Sequence, residues 1–353
     1  MQAAALIPAP DAIPVAAGWL EALLILTFAL HILLVNAVLG GSLVCSVRSI
    51  VNRKSILIKK MAKVLPSIFA LAVNFGVAPL LFIQMLYGQY LYTSSILMAV
   101  YWLSVVFLAI IAYYALYIFA GRYGTHAKFP LAIFASSAAM LCIGLILSNN
   151  MTLMLRPDVW SEYFSSPGGT LLNFGDQTVW LRYLHVVVAS VAVGGLVLAL
   201  IARHSLAKDD PETAKKEEQL GLNIFLFSSL VQILIGVTLF FAIPEHVRTL
   251  FSGGSEFYTG TLLIALTFVA MLLFQAASRN LYGTIITLVF TVLIMSGIRA
   301  LLRKAMLDPF GGIAALPVQA EYSPFIMFIV SLALGLVAIA YMIKLAMRSN
   351  KEA

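Results

Sequence analysis

Chemistry in this sequence starts from one apolar run, Val179 to Arg203, which holds Arg182 and His185 three residues apart. On a helix that spacing puts both on one face. Farther along the face stand Ala189 and Ala192, with Gly195 at its edge. An imidazole above a strip of small side chains leaves room for a flat ligand, and a haem macrocycle is one candidate. Arg182, a turn nearer the membrane surface, could then meet haem propionates. The alternative is a histidine hydrogen-bonded to a neighbouring helix, with the small residues as a packing seam of the kind common in membranes.

A second imidazole, His31, lies inside another apolar run, with Glu21 near the start of that run. The other histidines read as solvated: His126 in a short loop, His204 at the end of a run, and His246 in a loop beside Glu245. Glu245 and His246 could still handle a proton at the outer face. Asn36, Asn74, Gln84, Gln232 and Gln275 stand in apolar runs, where an amide needs a partner, so interhelical hydrogen bonds are expected. Cys45 and Cys142 lie in apolar segments, which predicts neither a disulfide nor a zinc site. The sequence has no Cys-x-x-Cys-His for covalent haem attachment.

The elements that position these residues are membrane helices. The 353 residues are 62% hydrophobic and only 10% charged, with a mean hydropathy of +1.00. A water-facing surface needs more charge than that, so the chain reads as an all-α, polytopic membrane bundle. Nine spans are predicted, at about 18–47, 64–87, 95–120, 129–148, 179–203, 221–243, 260–277, 281–302 and 323–346. They form one integral membrane domain over residues 1–353: a first four-helix bundle (18–148), a second (179–302) and a last helix. No clear internal repeat stands out. The N-terminal residues, with Pro8, Pro10 and Pro14 and no basic residue, do not make a cleavable signal peptide.

Arg48, Arg53, Lys54, Lys59, Lys60 and Lys63 follow the first span with no acid among them. Placing that loop in the cytoplasm leaves only Arg156, Arg182, Arg248, Arg299, Arg303 and Lys304 of the 22 basic residues outside. This predicts an N-terminus outside and a C-terminus inside. The net charge of +7 is then a matter of topology and does not imply nucleic acid. His31 falls roughly 15 Å and His185 roughly 9 Å below the outer surface, at about 1.5 Å per residue. The outer connection 149–178, rich in aromatic and turn residues, reads as folded against the membrane face. Asp210-Pro211 predicts the N-terminus of a short solvated helix at the inner surface.

In this order the motifs resemble subunit I of the cytochrome bd quinol oxidases. His31 resembles the family's first-span haem ligand. Val73-Asn74-Phe75-Gly76, running on to Tyr87-Gly88, resembles its second span. Asn149-Asn150 followed by Trp180-Leu181-Arg182-Tyr183-Leu184-His185 resembles the span that ligates the low-spin haem b, where a basic residue precedes the histidine by three. Ser296-Gly297-Ile298-Arg299 resembles a family turn ending in arginine. The departures are large. The third span carries no acid, with Trp102 and Ile110 near the expected places of the family's glutamates. Ser296 replaces the eighth-span glutamate, no methionine precedes Met271 in the seventh span, and the quinol loop shrinks to residues 244–259.

Dioxygen reduction needs an open metal site and a proton supply to it, and replacing the carboxylates by Trp, Ile and Ser removes the recognisable path. The resemblance therefore implies an electron-transfer subunit that binds one or two b-type haems through His31 and His185. It would oxidise quinol near the outer face and pass electrons to another membrane subunit or an external c-type cytochrome. The competing expectations are a haem-poor or haem-free scaffold that docks a partner, and an oxidase with relocated ligands. No span shows the paired broken helices of many transporters.

Overall fold

The computed structural model describes residues 3–51, 55–123, 131–165, 167–207, 210–313 and 316–352. His126, Arg53, Lys54 and Ser166 lie outside the described residues. The fold is helical, and among the described residues the one β contact is an isolated bridge between Ile13 and Val318. The helices are α1 (Ala17–Val51), α2 (Ile56–Leu97), α3 (Ala99–Arg122), α4 (Leu131–Met154), α5 (Gln177–Ser205), α6 (Pro211–Ala242), the short α7 (Glu245–Thr249), α8 (Glu256–Ala277), α9 (Leu281–Leu307) and α10 (Tyr322–Glu352). Eight of them, α1–α6, α8 and α9, are long and apolar enough to cross a membrane. Helix α10 opens with the apolar stretch Tyr322–Gly335, and its sequence stays apolar through Ile343.

Several boundaries differ from the sequence reading. Helix α2 extends beyond the predicted span at both ends; it is capped by Ser55, whose side chain accepts from the Ile58 amide, and is bent at Tyr87, where φ is −138° and ψ 27°. Asp210 caps α6 through the Thr213 amide with Pro211 in the first turn. Those hydrogen bonds hold the Asp210 carboxyl below its usual range. The predicted short solvated helix is instead the first turns of α6 itself, because nothing after Pro211 stops it. There Glu217 pairs with Arg48 and Glu218 with Arg203 at 3.1 Å, which ties α6 to α1 and α5. Asn149 and Asn150 belong to α4, not to the outer connection, and are fully buried. The connection does fold back: its 3-10 helix Pro157–Ser165 buries Trp160, which donates to the Leu153 carbonyl at 2.9 Å. Both cysteines are free.

The centre of the bundle is the crossing of α1 and α5. A Cβ on Gly40 would lie 1.6 Å from the Ser190 carbonyl oxygen, and one on Gly194 would lie 2.4 Å from the backbone of Gly40. The two backbones therefore touch, as small residues allow between membrane helices. Ser190 Oγ donates to Asn36 Oδ1 at 2.9 Å across the same seam, a pair separated by 154 residues. That spacing also separates Gly40 from Gly194 and His31 from His185. Two contacts at one offset make α1 and α5 parallel and in register.

The second glycine of each pair turns to its own neighbour. Gly41 packs against Leu65 of α2, and Gly195 against the Gly221 carbonyl of α6. The two halves thus share a His-x8-Gly-Gly segment (His31 to Gly41, His185 to Gly195). This corrects the reading that no internal repeat is present: the residues between the histidines and the glycines differ, so the correspondence shows only where the backbones meet.

Gly40→Ala is expected to destabilise the protein by at least ~2 kcal/mol, since the seam is overpacked with no room to relax. Gly121→Ala, with nothing within 4 Å of the added carbon, serves as the neutral control. Thermal unfolding in detergent measures both. A Gly40→Ala protein as stable as wild type would remove the seam as the organising contact.

Candidate functional site

His31 and His185 stand at equivalent places on α1 and α5, each turned toward the next helix of its own half. His31 Nδ1 lies 2.9 Å from the Ala72 carbonyl oxygen. A carbonyl only accepts, so Nδ1 carries the proton and Nε2 keeps its lone pair. Gly76 makes room for the ring; a Cβ there would lie 2.8 Å from His31 Cε1. A histidine whose Nδ1–H is held by a backbone carbonyl has the tautomer and orientation of a metal ligand.

His185 is held differently. Its Nε2 lies 3.2 Å from the Gln232 amide nitrogen. That amide only donates, so His185 Nε2 accepts and the proton sits on Nδ1. Nδ1 is buried without a hydrogen-bond partner among the described residues. A buried orphan donor costs about 1–3 kcal/mol. Gly236 lies against this side of the ring.

One turn toward the end of the bundle that holds the N-terminus of α1, each histidine has a guanidinium. Arg182 precedes His185 on α5. The matching position on α1 is Phe28, and Arg299 of α9 sits over its ring at 4.2 Å. One turn further along α9, Arg303 lies 5.1 Å over the ring of Tyr87 and is only 7% exposed. The three charges act on one another. Like charges held together away from water repel one another.

Among the described residues none of the three arginines forms an ion pair. Asp176 and Glu21 reach them only over longer distances. Among the described residues Arg182 Nε and Arg303 Nη1 are buried without hydrogen-bond partners, while the Tyr87 hydroxyl lies beside the Arg303 guanidinium. Cations withdrawn from water in this way call for an anion.

An open cavity of about 210 Å³ runs from the bundle end to Arg182, lined also by Arg156, Asp158, Asp176, Thr178 and Pro244. It is smaller than the roughly 300–1,000 Å³ of ligand pockets and suits water or carboxylate groups. Arg156 bridges Asp158 and Asp176, each at 2.8 Å. Its hydrogen bonds to Asp158, with Asp176 beside it, push its guanidinium above the ordinary value.

The strip of small residues below His185 does not leave room for a macrocycle. Ala192 is buried in a cluster with Leu196, Ala199, Leu222 and Phe225, and a Cβ on Gly195 would meet the Gly221 carbonyl oxygen at 2.6 Å. These residues form a packing seam between α5 and α6, so the space for a flat ligand has to lie toward Arg182. Ser296 is buried and donates to the Val292 carbonyl. Met271 is 48% exposed and Ile110 49% exposed, so neither faces the histidines' interior. Asn149 Oδ1 accepts from the Asn173 amide at 2.8 Å and Asn150 Nδ2 donates to Ser95, a clamp rather than a ligand set. His204 bonds the Tyr282 hydroxyl at 3.0 Å, and Glu245 and His246 are exposed. Among the described residues no group of three or more His, Cys, Asp or Glu could hold a bare metal ion.

Sequence reasoning singled out Arg182 and noted Arg299 in a motif. Arg303 stood there only as an outer basic residue and Tyr87 only as the end of the second span, although two arginines four residues apart at the end of an apolar run were the signal. Comparison with protein families, curated proteins and solved structures returns no match to this chain.

Tyr87→Phe removes the hydroxyl beside the Arg303 guanidinium and keeps the ring beneath it. The variant is expected to lose about 1–3 kcal/mol in thermal unfolding. A Tyr87→Phe protein as stable as wild type would mean that the hydroxyl does not support Arg303.

Proposed function

We propose that this chain is a haem b-binding electron-transfer subunit of a bacterial cytoplasmic membrane, similar in plan to subunit I of the cytochrome bd quinol oxidases. In this reading α10 is a ninth span, the N-terminus is outside and the C-terminus inside. The observation that carries the proposal is the pair of His–Arg couples at one level: His31 with Arg299, and His185 with Arg182. Each joins an imidazole to a guanidinium that lacks a carboxylate partner, and haem b presents both an iron atom and two carboxylates.

His31 Nε2 would hold one iron, and the Nδ1–H bond to Ala72 fixes the ring for it. His185 would hold a second after Gln232 gives up its hydrogen bond. Arg182, Arg299 and Arg303 would take the propionates, which relieves the mutual repulsion of the three cations. Bound haem b supplies a reversible one-electron couple. Quinol would deliver electrons from the membrane near the outer end, and another membrane subunit or an external c-type cytochrome would take them away. Ser296, Trp102 and Ile110 offer no carboxyl group to deliver protons where oxygen reduction needs them, so the acceptor in this proposal is not dioxygen.

A second reading has its own support. Gln232 already satisfies His185 Nε2, and the strip below it is closed, as in a haem-free scaffold subunit that docks a partner. The two readings separate on one experiment. Protein purified after haem-sufficient expression is mixed with a short-chain quinol under anaerobic conditions, and its visible spectrum is followed. The proposal expects a Soret band and a reduced b-type α band that appears on adding quinol. A folded protein with no Soret band supports the scaffold. Haem that dithionite reduces and quinol does not would remove quinol as the donor.

A further inference from the structure

The two ends of the bundle carry opposite charge. At the end nearer Arg182, the residues Asp11, Glu162, Glu245, Glu256, Asp308 and Glu321 are exposed, and none forms an ion pair among the described residues. They come from five separate segments: the N-terminal stretch, the 3-10 helix Pro157–Ser165, the start of α7, the start of α8, and the connection between α9 and α10.

The bases at this end are withdrawn. Arg156 is taken up by Asp158 and Asp176. Arg248 folds back on Phe241, donating to its carbonyl at 3.2 Å and covering its ring. Arg303 is buried. Lys304 is exposed. The opposite end holds the basic loops, and two of its acids are paired, Glu217 with Arg48 and Glu218 with Arg203.

A second observation concerns the cavity in this face. The open cavity in it has Arg182 in its wall, with Nε buried and unpartnered. A carboxylate that satisfied Arg182 would therefore sit directly beneath the acidic surface. Charge of one sign on a face steers an oppositely charged partner and fixes its orientation.

We infer that this acidic end is the docking face for a soluble, lysine-rich redox protein. What that protein exchanges rests on the haem proposal above; the docking itself does not. The partner's lysines meet the six unpaired carboxylates, which brings its redox centre over the Arg182 cavity. The attraction is long-range and screened by salt.

Binding of a basic c-type cytochrome to the full-length, detergent-purified protein tests this, at about 20 mM and about 200 mM salt. The same cytochrome with succinylated lysines is the charge-reversed probe. The triple variant Glu162→Lys, Asp308→Lys, Glu321→Lys changes only exposed positions, and gel filtration and helicity check its fold. Binding at low salt is expected to weaken at least tenfold at the higher salt, to be absent for the succinylated probe, and to weaken at least tenfold in the triple variant. Equal binding of native and succinylated cytochrome, no binding at low salt, or a triple variant that binds like wild type would overturn the inference. Protein prepared without haem is expected to bind equally well, so docking stands or falls separately from the haem proposal.

Discussion

The arrangement depends on one contact, the backbone of Gly40 against the backbone of Gly194. Two helices can approach this closely only where neither carries a side chain. The contact leaves no freedom to slide, because any Cβ at either position would collide with the facing backbone. The Asn36–Ser190 hydrogen bond one turn away then fixes α1 and α5 in parallel register. Everything nine residues before the glycines inherits that register, and those residues are His31 and His185. The second glycine of each pair draws in α2 or α6, and these helices supply the first partner of each imidazole. A backbone contact thus sets the level of two side chains that never touch it.

The second constraint is charge. Three guanidiniums sit at the same end of the bundle with no ion pair among the described residues, although Asp176 and Glu21 are near enough to act on them. Those acids are used elsewhere: Asp176 caps α5 through the Thr178 amide and pairs with Arg156, while Glu21 is only partly buried. The ring contacts of Arg299 with Phe28 and of Arg303 with Tyr87 offer partial compensation, since a ring face attracts a cation but does not neutralise it. An anion from outside the chain would complete the balance of the site, and in the proposed reading the carboxylates of haem supply it.

Much of this was legible in the sequence, for physical reasons. Apolar runs of helical length mark spans because backbone polar groups must be satisfied within lipid, and eight long helices stand where such runs were read. Asn36 and Gln232 were legible as interhelical donors or acceptors, since an amide in lipid needs a partner. Asp210 was legible as a helix cap, but its helix was not legible as the start of α6, because hydropathy marks the edge of the apolar run and not of the hydrogen-bonded ladder. The small strip after His185 was ambiguous: Ala192 and Gly195 suit a macrocycle and a helix crossing equally, and only the position of Gly221 decides for the crossing. The repeat was hidden because it lies in where the backbones meet and not in the side chains between.

The central claim is that the two halves build two equivalent haem sites. Haem b per polypeptide, measured by pyridine haemochrome assay on wild type, His31→Ala, His185→Ala and the double variant, tests it most directly. The account predicts two haems in wild type, one in each single variant and none in the double. Haem content unchanged by either substitution, or an absence of haem from folded wild-type protein, would contradict it.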